Sequence, residues 1–418
     1  MRKRAIAIIL LVFAAVVLLA SLAFVVPAVQ SRLAWRADMA YTYVRVALSD
    51  AGPLPTALPQ PQIAITRQPT ATFAPSAIPE PTLSPTVGPS PTPTIAPTPL
   101  PQAFSITPPK WEKQDANNCG PASLALYLRH YGWEGDQFTI SQVIKPFRAD
   151  RNVNVDELEY YVRNKAGWLN FEYRVGGTIE TLKSLIAAGF PVMIEEGMKL
   201  DQTYWPNDDK WAAHYMLLTG YDDANKTFTG QDTYYGPDKK FSYDSLDKSW
   251  EAFNRVFIMI YPPDQEAMIK SILGPGWDIE TNRQQALLTA QAESETNPDD
   301  AFAWFNFGTN LAYFERYSEA AQAYDQARAL GLPQRMLRYQ FGPFMAYFHS
   351  GRLDQLDTLL KYALKITPNS EETFLWRGWM EFRQGNKTAA VDDFRQAYQD
   401  NPNYEDAKYA LRYAGALP

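Results

Sequence analysis

The chain has 418 residues, a formal net charge of −7 and a pI near 5.2, so it has room for two or three domains and no basic footprint for nucleic acid. One cysteine, Cys119, excludes an internal disulfide and any paired-cysteine zinc motif. Three histidines without a zinc-binding spacing, and no phosphate-binding P-loop, leave no metal or organic cofactor implied.

Arg2, Lys3 and Arg4 precede an apolar run from Ala5 to Val26, whose 22 residues reach roughly 33 Å as a helix, enough for a ~30 Å hydrocarbon core. Residues 1–27 are therefore expected to be a single-pass membrane anchor with a cytoplasmic N-terminus, and everything beyond to be extracytoplasmic. A cleavable signal peptide competes, since Val26-Pro27-Ala28 loosely matches a cleavage site, but signal cores are typically about 7–15 residues. Residues 28–50 are mixed in character and read as a short juxtamembrane helix. From 51 to 109, 17 of 59 residues are proline and only Arg67 and Glu80 are charged. No face can be buried at such a composition, which predicts a disordered, extended Pro/Thr/Ser-rich linker.

The globular unit expected over 110–263 holds the chemistry. In "KQDANNCGPASLALYLRHYG", Cys119 stands before Gly120 and Pro121, and an apolar helix follows. Proline suits a first helical turn, so the thiol is placed at a helix N-terminus, where the dipole favours thiolate. A lone cysteine is by itself more often a small buried hydrophobe. His130 lies eleven residues along the same helix, about 16 Å away and out of reach. His349 falls among the C-terminal repeats, which leaves His214 as base, opening the strand-like "HYMLLTGY". After the turn "DDANK", the strand-like "TFTGQD" returns Asp232 towards His214, and an even-numbered register puts both side chains on one face. Asp222 and Asp223 are rival acids but sit at the far tip of this hairpin. Gln114 and the Cys119 N–H are candidate donors to an oxyanion. In the loop read over 195–213, Tyr204, Trp205 and Trp211 either wall a substrate cleft or cover a hydrophobic edge.

"QDANNCGPA", "AAHYMLLTGYDD" and "GQDTYYG" together resemble the peptidase C39-like family of papain-like cysteine peptidases, over about 110–263. The resemblance implies Cys119 as nucleophile, His214 as general base, Asp232 as its orienter and Gln114 as oxyanion donor. Well-known relatives are peptidase domains of bacteriocin exporters, which cut leader peptides in the cytoplasm. This chain has neither their transporter helices nor their ATPase, so peptide-bond hydrolysis is implied without leader processing.

Residues 264–418 are expected to form a tetratricopeptide repeat domain. "AFAWFNFGTNLAYFERYSEAAQAYDQARALGLP" places Trp304, Gly308, Ala320, Tyr324 and Ala327 in the repeat pattern, and Gly378, Ala390, Phe394 and Ala397 recur in it. Prolines 298, 333, 368 and 402 are spaced 35, 35 and 34 residues apart. The intermediate copy is weaker, since Pro343 interrupts its first helix. Such an array either binds a peptide or protein partner or packs on the neighbouring domain. The fold class expected is α+β: a papain-like domain and an all-α solenoid behind an anchor and linker. The function expected is a membrane-anchored extracytoplasmic cysteine peptidase acting on a peptide or protein substrate. A catalytically inactive papain-like domain in a surface scaffold protein is the alternative.

Overall fold

The computed structural model describes Ser21 and residues 27–48, 51–57, 99–146 and 150–416. Among these, no helix is long and apolar enough to cross a membrane. The expected span Ala5–Val26 lies, apart from Ser21, outside the described residues, as do linker residues 58–98.

Seven strands make one antiparallel sheet: β1 (Ala103–Ser105), β2 (Asn170–Arg174), β3 (Val192–Lys199), β4 (Trp211–Asp222), β5 (Thr227–Asp232), β6 (Gly236–Ser242) and β7 (Phe257–Tyr261). The order is β2-β7-β3-β4-β5-β6, and β1 pairs with the distal end of β4. Alternation sorts the central strands. Met193, Tyr215, Leu217, Ile258 and Ile260 join the core under the helix that begins at Cys119. Val192, Ile194, Met216, Leu218, Phe257 and Met259 join the core on the other side. Both faces are covered, which is why these segments read as continuous apolar runs rather than alternating ones.

Two boundaries move. The linker was expected to run to residue 109, yet Ala103–Ser105 is a strand, because Ile106 is buried and Ala103 finds an open β4 edge at Asp222. The globular unit was expected to end at 263, yet Ile269 of the helix Glu266–Leu273 is buried in the same core. The loop read over 195–213 is also shorter, since β3 and β4 pair as far as Lys199↔Trp211.

The C-terminal region is helical and resembles a tetratricopeptide array. Its hairpins are Ala301–Tyr313 with Tyr317–Leu330, a broken Met336–Tyr339/Gly342–His349 with Leu353–Ile366, and Glu371–Arg383 with Lys387–Asp400. The helix Ile279–Thr296 precedes them and Glu405–Tyr413 follows. Each of the four periodic prolines stands three residues before a new helix. Pro343 lies in the first turn of the second fragment, where its missing N–H costs nothing, so the interruption falls before it at Gln340 and Phe341. Gly378 shows why small residues recur: a Cβ there would stand 2.5 Å from the Phe394 ring.

The first helices of the hairpins face the sheet domain, which favours the packing reading. Asn306 donates to the Glu251 carbonyl (2.8 Å), Asn310 exchanges hydrogen bonds with Asn254, and Glu372 accepts from Asn152 and Asn154. The most buried link is an ion pair. Arg335 forks onto both Asp208 oxygens at 2.7 and 2.6 Å, and its guanidinium lies 4.1 Å from the Trp205 ring centroid.

The N-terminal segment joins the same junction. The helix Pro27–Leu48 rests on Leu353–Ile366, where Arg45 donates to the carbonyls of Leu364 and Lys365 near the helix end. Those carbonyls have no intrahelical partner, so a cation suits them twice over. Residues 51–57, expected to belong to an unpacked linker, are docked instead. Ala51 and Leu54 are buried, while Arg328 donates to the Pro55 and Thr56 carbonyls at 2.8 and 3.1 Å. An extended proline-containing segment supports this docking because its carbonyls are not engaged in secondary structure of its own.

The ion pair yields a quantitative expectation. Arg335→Ala leaves Asp208 buried without its counter-charge, so chemical denaturation is expected to show a loss of about 3–5 kcal/mol. The double replacement Arg335→Met/Asp208→Asn is expected to recover part of it, since it removes the orphaned charge and keeps an acceptor oxygen for the Tyr204 and Lys210 N–H groups.

Candidate active site

Cys119 is the first residue of the helix Cys119–His130 and is half-buried. The loop before it is held by Gln137, whose Oε1 accepts from Asp115 N (2.7 Å) and Asn118 Nδ2 (2.8 Å), and whose Nε2 donates to Glu112 Oε2 and the Lys113 carbonyl. Asn117 turns the chain at φ 52°, a left-handed conformation that asparagine tolerates. Ser123 Oγ donates to the Tyr215 carbonyl at 2.8 Å, fastening the helix to β4 one residue from His214.

The hairpin register brings the acid to the base. Near the turn β4 and β5 pair as Asp222↔Thr227, Tyr221↔Phe228 and Gly220↔Thr229. Continued unchanged, that register would set Asp232 opposite Leu217, on the other face from His214. A bulge at Thr219 shifts the pairing to Leu218↔Gly230 and Leu217↔Gln231. One further step sets Asp232 opposite Met216, on the His214 face and diagonal to it. His214 Nε2 then lies 3.1 Å from Asp232 Oδ1. The same oxygen accepts the backbone N–H groups of Tyr234 (2.7 Å) and Tyr235 (2.9 Å), so the carboxylate has anchors besides the imidazole. Asp222 and Asp223 serve elsewhere: Asp222 caps the hairpin turn, and Asp223 pairs with Lys183 at 2.8 Å.

Gln114 is tied to the residue after the acid. Its N–H donates to the Thr233 carbonyl (2.9 Å), and its Oε1 accepts from Thr233 Oγ1 (2.9 Å). Engagement of Oε1 leaves the Nε2 end of the amide as donor, and Gln114 lines the cavity that Cys119 and His214 also line. The Cys119 N–H belongs to the first helical turn and has no carbonyl four residues back to meet.

Electrostatics favour an ion pair. Burial pushes the Cys119 thiol up, but the hydrogen bond and charge of His214, then the Tyr215 backbone and the Lys145 ammonium, bring it net below its ordinary value. Burial pushes the His214 imidazolium down, but Asp232 and Cys119 raise it to about 10. Asp232 is raised by burial and lowered further by its bonds to His214, Tyr235 and Tyr234. The arrangement can hold a thiolate against an imidazolium at neutral pH.

The cavity measures about 200 Å3 and is bounded by three separate parts of the chain: the sheet domain, Met39 and Thr42 of the first helix, and Arg335, Arg338 and Tyr339 of the repeats. Tyr204 and Trp205 lie on its wall, but Trp205 is chiefly a structural plug, 1% exposed, with its Nε1 donating to Gln334 Oε1 at 2.8 Å. Trp211 is not on the wall. It stacks on Phe253 and Phe302, so it covers the hydrophobic edge between the two units and does not wall the cleft. Lys145 and Thr233 were missed. Thr233 had a signal, adjacency to Asp232. Lys145 had none, because only the tertiary fold carries its buried amine to the Asn117 carbonyl beside the thiol.

A helix-borne thiol thus stands against a sheet-borne imidazole and carboxylate. Residues 104–258 match the Peptidase_C39 like family. Similar solved structures include a putative C39-like peptidase from Bacillus anthracis, 17% identical, covering 38% of this chain and 98% of that one with a TM-score of 0.30. A double glycine motif protease from an AMS/PCAT transporter in complex with the leader peptide is 21% identical, covering 38% and 94%, with a TM-score of 0.28. A TPR protein with an unusual peptide-binding site, YrrB, is 16% identical, covering 35% and 89%, with a TM-score of 0.19. No curated protein matches the sequence.

The geometry separates two substitutions at the acid. Asp232→Ala removes the acceptor, and turnover is expected to fall about 10²–10⁴-fold. Asp232→Asn keeps an Oδ1 for all three donors and loses only charge, so it is expected to retain more activity. In the wild type, thiol alkylation against pH is expected to inflect below ~8.5, and the imidazolium supporting it to be lost only as pH rises through about 10. Asp232→Asn should draw that alkaline limit downward, which a stopped-flow pH series reads directly.

Proposed function

We propose that this chain is a membrane-anchored cysteine peptidase whose catalytic domain faces the extracytoplasmic side. The contact that carries the catalytic part is His214 Nε2 to Asp232 Oδ1, made where the imidazole also meets Cys119. The Cys119 thiolate adds to the scissile carbonyl carbon, and the π electrons move onto oxygen. Gln114 Nε2 and the Cys119 N–H receive that oxyanion. The carbonyl re-forms as the C–N bond breaks, His214 passes its proton to the departing amine, and a thioester remains. Water then attacks the thioester with its proton taken by His214, releasing a carboxylic acid and regenerating the thiol. Transfer to an amine in place of water would use the same groups.

A neutral epoxide peptide probe is expected to label Cys119 stoichiometrically at pH 7 in the wild type and not in His214→Ala. Absence of labelling in the folded wild type would leave the inactive scaffold as the better reading. A protein partner on the repeats would need surfaces other than those already covered by the sheet domain and residues 51–57.

The anchoring rests on Arg2-Lys3-Arg4 before the 22-residue apolar run. Protease added to cells whose outer layers have been opened is expected to cut within the proline-rich 58–98. Because 27–48 and 51–57 are docked on the repeats, the large fragment should stay with the membrane after cutting and leave it only on denaturation. Protection of the chain until the membrane is permeabilised would place the domain in the cytoplasm instead.

A further inference from the structure

A second cavity, of about 660 Å3, lies between the sheet domain and the repeats, a size that suits a ligand. Its charge is one-sided. Seven carboxyl groups line it against a single basic side chain, Arg283, whose guanidinium faces the Tyr313 ring at 4.6 Å and acts on Asp156. Among the described residues only one of the seven is ion-paired, Glu405, with Lys408 at 2.7 Å.

Two of these groups, Glu195 and Glu371, are 7% and 4% exposed and still have acceptor capacity to spare. Glu371 Oε1 accepts from Asn401 at 3.2 Å, while its Oε2 meets no other residue's donor among the described residues. Glu195 has one hydrogen-bonding neighbour, the Tyr215 hydroxyl, which donates its single proton to the Val153 carbonyl at 3.1 Å. An ionised Glu195 therefore has no donor left to meet. Neither its oxygens nor Glu371 Oε2 belong to the polar atoms sealed away without a partner, so they open on the cavity. Burial holds both carboxyl groups well above the usual carboxylate range. A cation entering the cavity would supply the missing donors and let them ionise.

We propose that this cavity receives the cationic end of a basic side chain, Lys or Arg, from a peptide lying at Cys119, with Glu195 as its acceptor. Glu195 and Tyr339 line the cavity that holds Cys119 as well, so the two cavities share a wall and one peptide can enter both. An organic cation fits better than a metal ion. No three carboxyl groups among the described residues converge as metal ligands do, and Phe341, Trp376 and Tyr404 offer aromatic faces to an ammonium or guanidinium. Glu371, at the start of the helix Glu371–Arg383, adds negative charge from the repeat side. The repeats thereby take part in substrate selection. The inference rests on the peptidase reading for the peptide, and not for whether a cation binds.

The test uses full-length Cys119→Ala protein, so that binding is read without turnover. Salt is kept near about 0.15 M, which screens long-range attraction to an acidic chain. Four pools of acetylated, amidated random hexapeptides are offered: neutral, and with one fixed Lys, Arg or Glu. Captured peptides are quantified by mass spectrometry. At least one basic pool is expected to be enriched about 10- to 100-fold over the neutral pool, the range of a charge-assisted hydrogen bond, and the Glu pool is not. Glu195→Gln, which keeps the shape and removes the charge, is expected to erase the preference, and Glu371→Gln to lower it. Glu180→Gln removes an equal charge from an exposed side chain and is expected to leave it intact. Equal capture of basic and neutral pools, or capture of neither, overturns the subsite without recourse to any variant at Glu195. A preference that Glu180→Gln lowers as much as Glu195→Gln overturns it too. Spermidine binding more tightly than every captured peptide would overturn a peptide side chain as the occupant. A preserved preference in a protein whose Cys119 resists the epoxide probe would instead defeat only the catalytic reading.

Discussion

One extra residue in β4 governs the candidate site. In a two-sided sheet the face of a side chain is a matter of parity, so a single unpaired position exchanges the faces of everything beyond it. The bulge at Thr219 does this between the hairpin turn and His214. Without it the carboxylate of Asp232 would join the face of Leu217, under the cysteine-bearing helix. With it, the carboxylate lies diagonal to the imidazole and within 3.1 Å of Nε2. The two backbone donors from Tyr234 and Tyr235 then fix its rotamer, and Thr233, between acid and donors, fixes Gln114. His214, Asp232 and Gln114 are thus all placed by one hairpin and the turn that follows it.

Cys119 reaches that hairpin by a separate route. Gln137 shapes the loop before Cys119, and Ser123 fastens the helix to the Tyr215 carbonyl. The parts meet at a low-dielectric edge where charge separation is sustained only by mutual contact, since burial alone would neutralise both thiolate and imidazolium. Opposite shifts on Cys119 and His214 are the signature of that balance.

The surroundings of the site are more composite than a single catalytic domain would require. Arg335, Asp208 and Trp205 close one wall from two units at once, and the first helix adds Met39 and Thr42. A buried ion pair contributes little net stability, but it penalises any other placement of the two units, because separation or slippage would strand a charge. The repeats therefore act here as a fixed part of the cavity.

Much of this was legible in the chain itself. Cys119 before Gly-Pro, His214 at a strand, the return of Asp232 and the four spaced prolines are local patterns, written by helix-start chemistry, strand alternation and repeat periodicity. The match over 104–258 and the helical array follow from them. What the chain could not disclose were facts of parity and of distance. The bulge at Thr219 has only the neighbouring Gly220 as a local mark, and a glycine within a strand signals a close backbone approach, here to the Phe104 carbonyl, as readily as a bulge. Nor does sequence spacing bring Lys145 to the thiol, Trp211 to Phe302, or Arg338 to a cavity more than 200 residues behind it in the chain. Local order was set by residue type and period, whereas the packing of separated segments decided which polar groups were buried together.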